Sequence, residues 1–189
     1  MLWVDAVGGF LVCPADEVVI GQPDLSGTVD IPVLGDISSR HARIIRDGES
    51  YLIEAIRNVQ VDGRPVSGAS LVSDGSRIVL GEGVRLRARR PHALSSTLRL
   101  DLDSRHRTQP AADAVLLMAD SCILGPNPHS HVVCRDWPDE VIMYRQGEQL
   151  YCRSAGWFEI DGVRCKGRGQ ITRNSRIEGD GFSMKLEEI

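Results

Sequence analysis

The sequence predicts an all-β protein made of two tandem antiparallel β-sandwiches, and three observations carry that expectation. Nineteen glycines and nine prolines punctuate the 189 residues, and no Ala-rich or Leu-rich stretch keeps a helical period, which favours short strands joined by tight turns. Asp-Gly pairs recur between apolar runs, at Asp47-Gly48, Asp62-Gly63 and Asp74-Gly75, and such pairs are the short-range mark of a hairpin. Residues 41–90 also align with 140–189 at constant offset, with nine identical pairs that include Arg46/Arg145, Gly48/Gly147, Glu49/Glu148, Asp62/Asp161 and Gly63/Gly162. The run Ser76-Arg77-Ile78 falls on Ser175-Arg176-Ile177. An internal repeat that keeps turn residues is what two copies of one β-framework retain in common.

In the first copy, residues 2–7, 9–13, 17–21, 41–46, 51–54, 59–61, 77–80 and 84–89 read as strands. Alternation is clearest in Val84-Arg85-Leu86-Arg87-Ala88-Arg89, whose apolar members face a core and whose arginines face water. Several strands spaced at eight to twelve residues point to a sandwich or barrel. The second copy restarts near residue 96, because Leu98-Arg99-Leu100-Asp101 resembles Leu2-Trp3-Val4-Asp5 and the apolar run ending at Gly125 resembles the one ending at Gly21. A proline and small residues break the pattern between the copies, so the expected division is a first domain at 1–91, a linker at 92–95 and a second domain at 96–189.

A formal net charge of −4 argues against general attraction to nucleic acid or an anionic membrane, so any anion site must be local. Cys13, Cys122, Cys134, Cys152 and Cys165 form an odd set with no C-x-x-C pair. Neither a zinc site nor a disulfide framework is indicated, and small buried thiols are expected. No signal-like leader and no run of about 18 apolar residues is visible. The expectation is a soluble chain in a reducing, cytoplasmic compartment, with no metal and no cofactor implied.

Between the third and fourth of these strands lies Asp30-Ile31-Pro32-Val33-Leu34-Gly35-Asp36-Ile37-Ser38-Ser39-Arg40-His41. Taken with Gly21-Gln22 before it and Asn58, Asp62-Gly63 and Asp74-Gly75-Ser76-Arg77-Ile78-Val79-Leu80-Gly81 after it, the first copy resembles the forkhead-associated (FHA) family, whose fold is a SMAD-like β-sandwich. The resemblance implies a loop-borne site for phosphothreonine peptides. Ser38 would donate its hydroxyl to the phosphate, flanked by Ser39 and Arg40, while Asn58 would bond the peptide backbone. His41 and Gly21 would brace the loop from within. A phosphate carries about −1.5 to −2 charges and three acceptor oxygens, which suits converging hydroxyls and guanidinium.

Two departures bear on that site. Gln22 stands where the family carries an arginine, and a neutral hydrogen bond contributes about 0.5–1.5 kcal/mol where a charged one gives about 1.5–3; Arg40, Arg43 or Arg57 are the candidates to compensate. The loop 54–60 is shorter than the family pattern. In the second copy the same offset puts Trp137 at the place of Ser38, Glu140 at that of His41 and Trp157 at that of Asn58, a set that cannot attract phosphate. The two indoles either close a core end or form an exposed aromatic patch for a protein partner.

The function expected is that of a phosphoprotein-binding adaptor whose partner is a Ser/Thr kinase or its substrate. The rival is a phosphorylation-independent scaffold of two degenerate sandwiches. Asp36, Ser38 and His41 supply hydrolase residue types, yet no nucleophile elbow accompanies them, so no enzyme activity is expected.

Overall fold

The computed structural model describes residues 1–24 and 27–189; Leu25 and Ser26 lie outside the described residues. Among those described there is no helix, and the chain forms strands throughout. In the first copy these are β1 (Leu2–Val4), β2 (Gly8–Cys13), β3 (Glu17–Gly21), β4 (Ile31–Leu34), β5 (Ala42–Asp47), β6 (Ser50–Ala55), β7 (Val59–Val61), β8 (Arg64–Pro65), β9 (Ala69–Val72), β10 (Arg77–Leu80) and β11 (Val84–Arg89). The second copy supplies β12 (Leu98–Leu102), β13 (Arg107–Thr108), β14 (Ala114–Leu117), β15 (Ser121–Gly125), β16 (Val132–Val133), β17 (Val141–Gln146), β18 (Gln149–Ile160), β19 (Val163–Ile171), β20 (Arg176–Gly179) and β21 (Phe182–Leu186). The short strands β4, β8 and β9 fall in segments whose sequence reads as loop, because each is held by tertiary pairing and has too few residues to show alternation.

The identical turn residues of the two copies make the same bonds. Asp62 and Gly63 both have positive φ, 51° and 78°, and Asp161 and Gly162 repeat this at 52° and 79°, the geometry of a tight hairpin turn. Asp62 Oδ1 accepts the Arg77 N–H at 2.8 Å and Oδ2 the Ser76 hydroxyl at 3.0 Å. Asp161 does the same with Arg176 and Ser175, both at 2.8 Å. The repeated residues thus lock one turn to the strand that follows it, twice.

The strands are not partitioned as the chain is. A six-stranded sheet in the order β13-β4-β3-β5-β6-β9 faces a fifteen-stranded sheet that runs through both copies. In the larger sheet β11 pairs with β12, β12 with β14, β14 with β2 in parallel, β2 with β1, and β1 with β21. The first copy's opening hairpin therefore completes the second sandwich, and β12 and β14 complete the first. The break at 92–95 marks where the repeat restarts, and the hydrogen bonding crosses it.

Of the seam strands, β2 and β14 are buried on both faces. Val115 and Leu117 of β14, with Leu11 and Cys13 of β2, enter the first core, whereas Ala114, Leu116 and Phe10 enter the second. Leu98 and Leu100 of β12 face the first core, and Leu2 and Val4 of β1 the second. Each large apolar side chain buried this way stabilises by about 1.5–3 kcal/mol. Withdrawing the exchanged strands would remove several such side chains from each core. The two sandwiches should accordingly unfold in one transition, and residues 1–94 alone should give no stable monomer. Denaturant unfolding with size-exclusion chromatography checks this: a monomeric, cooperatively folding 1–94 fragment would contradict the exchange.

Four of the cysteines are buried and free; burial pushes the thiols of Cys13, Cys122, Cys134 and Cys152 up to about 12, which leaves them as inert core groups. No helix among the described residues is long and apolar enough to cross a membrane.

His131 is fully buried and accepts the Ile123 N–H on Nδ1 at 3.0 Å. Burial, reinforced by the nearby His92, lowers its pKa to about 4. The unfolded chain takes up a proton near pH 6.5 that the folded chain refuses, so stability falls as pH drops from about 6.5 toward 4. The loss attributable to this residue is about 3 kcal/mol at its limit. His131→Asn keeps an acceptor for Ile123 and removes the titration; its unfolding free energy should fall less than the wild type's over that range, measured by urea unfolding at stepped pH.

Candidate functional site

The site is built at the end of the first sandwich where β3, the 35–41 segment and the β6–β7 connection meet. Gly21 closes β3 against the backbone of the neighbouring segment: a Cβ there would lie 2.0 Å from the Ser39 carbonyl oxygen and 2.7 Å from that of Ser38. Only glycine allows this approach. It lets the Gln22 N–H reach the Ser38 carbonyl at 3.0 Å and the His41 N–H reach that of Ile20 at 3.0 Å.

His41, 4% exposed, ties three segments together. Its Nδ1 accepts the Ser38 N–H at 3.1 Å, and its Nε2 lies 2.9 Å from the Asn58 carbonyl oxygen and 3.0 Å from the Gly81 nitrogen. A neutral imidazole has one donor and one acceptor. Because Nδ1 accepts, Nε2 carries the proton and donates to Asn58 O, which also accepts the Gly81 N–H at 3.0 Å. The His41 carbonyl in turn accepts from the Ile56 and Arg57 N–H groups at 3.2 and 2.9 Å. One side chain and its own carbonyl thus set the relative positions of both loops.

Between those loops opens a surface hollow of about 550 Å³ lined by Ser38, Ser39, Arg40, Arg43, Ile56 and Arg57. Ser38 is half-buried, and Ser39, Arg40 and Arg57 are exposed. Arg43 is not free to serve an anion: its guanidinium bonds Glu54 and, at 2.9 Å, Glu17. Among the described residues Arg40 and Arg57 form no ion pair, so they hold the uncompensated charge. Gln22 and Asn58 do not line the hollow. The Gln22 amide donates to the Gly35 carbonyl at 3.4 Å, and Asn58 contributes its carbonyl to the His41 brace while the residue itself is exposed. Ile56, 41% exposed, is a lining residue that sequence reasoning passed over; its signal was an apolar side chain in a loop that has polar neighbours.

The second copy contributes to this end of the molecule from outside the repeat register. Its β13 pairs with β4, with Arg107 opposite Leu34 and Thr108 opposite Val33, and the Gln109 N–H bonds the Pro32 carbonyl at 2.9 Å. The strand leading into the 35–41 segment is thereby held on both edges. The His106 ring lies against Gly35, where an added Cβ would meet it at 2.9 Å.

The corresponding end of the second sandwich is closed. Trp137 is buried, with its ring 5.2 Å from that of Phe182, so it fills a core end. Glu140 lies against Gly125. Trp157 is 51% exposed and sits within β18, whose continuous run replaces the β6–β7 loop. The indoles therefore do not form a shared patch.

No family model matches the chain, and the search of curated proteins gives no match.

Replacing Gly21 by alanine should force β3 and the 38–39 backbone apart. A stability loss of about 1–3 kcal/mol is expected, together with faster amide hydrogen exchange at Gln22 and His41, both of which thermal unfolding and hydrogen exchange can read.

Proposed function

We propose that this protein is a phosphoprotein-binding adaptor that reads phosphothreonine-containing segments through the loops of its first sandwich, in the manner of the forkhead-associated domains it resembles. The observation that carries the reading is the hollow between two loops fixed by His41, where Ser38, Ser39, Arg40 and Arg57 converge without a carboxylate of their own. Two hydroxyls and two guanidiniums offer donors to a dianionic phosphate, and a rigid sandwich carries them on loops, where such groups need not be satisfied internally. Its partner would be a cytoplasmic Ser/Thr kinase or a substrate of one, with no chemistry performed on it.

A second reading, a phosphorylation-independent scaffold, is favoured by two observations: Gln22 brings no charge, and Arg43 is neutralised by Glu54 and Glu17. One titration separates the two. The intact chain is titrated with a degenerate phosphothreonine peptide pool and with its unphosphorylated twin. The reading expects binding of the phosphorylated pool alone, weakened about tenfold or more in Ser38→Ala and in Arg40→Ala, the scale of one charge-assisted hydrogen bond. Equal binding of both pools would replace it with the scaffold.

A further inference from the structure

The outer face of β17, β18 and β19 carries a second concentration of positive charge, and a comparison of the copies shows how it arose. In the first sandwich Arg43 stands opposite Glu54, and Glu54 opposite Ala69. The Arg43 guanidinium also reaches Glu17 on β3. The same ladder positions in the second sandwich hold Ile142 opposite Arg153, and Arg153 opposite Arg168, while Ser121 takes the place of Glu17. Both carboxylates are gone and two arginines face each other directly. Like charges in directly opposed positions destabilise a strand pair.

Lys166 and Arg164 extend the cationic face along β19, and all four cations are exposed. Among the described residues none of them forms an ion pair. The nearest carboxylate on this ladder, Glu159, stands opposite Arg164, on the far side of a bulge in which residues 154–156 oppose the single Gly167. Bulges of this kind re-aim side chains. Here the bulge lies beside a hollow of about 500 Å³ lined by Ile142, Tyr144, Arg153, Lys166, Gly167 and Arg168.

We propose that this hollow is a second anion site, one that takes a phosphate monoester borne by a protein segment. It stands on the sheet face and is independent of the loop site of the first sandwich. Two guanidiniums, an ammonium and the Tyr144 phenol present more donors than a carboxylate can use, and match the three terminal oxygens and near-double charge of a phosphate. A nucleic-acid strand fits less well, because it binds by stacking bases on free rings. Tyr144 stacks on Tyr151 with centroids 5.5 Å apart, and Trp157, though 51% exposed, carries the Arg164 guanidinium at 4.7 Å and the Lys166 ammonium at 5.6 Å from its ring centre.

The test follows the backbone amide resonances of the full chain during titration with a degenerate pool of phosphoserine and phosphothreonine peptides, its unphosphorylated twin and a single-stranded oligonucleotide. The phosphorylated pool should shift Arg153, Gly167 and Arg168 saturably, in the wild type and equally in Arg40→Ala. Arg153→Glu places a carboxylate at the position that Glu54 holds in the first sandwich, opposite Arg168. It should weaken this response at least tenfold while the melting temperature holds or rises, and Arg168→Gln provides the same reading if that variant misfolds. The proposal falls if the unphosphorylated pool shifts these amides equally, if the oligonucleotide saturates them at lower concentration, or if Arg153→Glu and Arg168→Gln leave them unchanged. A response confined to Ser38–Arg40 overturns this site and leaves the loop site standing; a response confined to residues 153–168 does the reverse.

Discussion

The parallel pairing of β2 with β14 is the constraint on which the rest of the molecule depends. It joins two strands whose alternate residues enter different cores, so neither strand has a solvent face and neither can be withdrawn without opening both sandwiches. A strand buried on both faces is unusual in an antiparallel sandwich and characteristic of parallel pairing. The exchange of β1–β2 for β12 and β14 follows from it. A repeat that could have folded as two separate beads instead shares one fifteen-stranded sheet that contributes to both cores.

That exchange reaches the candidate site. The segment bearing Ser38, Ser39 and Arg40 follows directly from β4, whose outer edge would be unpaired without β13 from the other copy. Inside, His41 holds the two loops with one neutral imidazole and one carbonyl. The Ser38, Ser39 and Arg40 side chains are thus mounted on a backbone fixed from both sides.

The two copies have spent their shared framework differently. Where the first keeps an open loop pair and neutralises its sheet face with Arg43, Glu54 and Glu17, the second seals the loop end with Trp137 against Phe182 and leaves its sheet face cationic. The continuation of β18 through the place of the β6–β7 loop removes that loop, while the cationic face comes from the residue types at ladder positions the two copies share, Arg153 and Arg168 where the first has Glu54 and Ala69.

The all-β class, the repeat and the turn residues were legible in the sequence because they are local: glycine and aspartate at positive φ, and alternation along strands such as 84–89, act within a few residues. The grouping of Ser38, Ser39 and Arg40 over His41 was legible for the same reason, as neighbours on one short segment. What tertiary structure alone decided was which strands pair across the repeat, that Arg43 is spent on carboxylates, and that Gln22 and Asn58 stand outside the hollow. Equivalent strands such as Leu2–Val4 and Leu98–Leu102 carry the same apolar pattern, so either could complete either sandwich. The choice between them is made by connection geometry and by the burial of β2 and β14 on both faces, neither of which is written in the order of residues along a single strand.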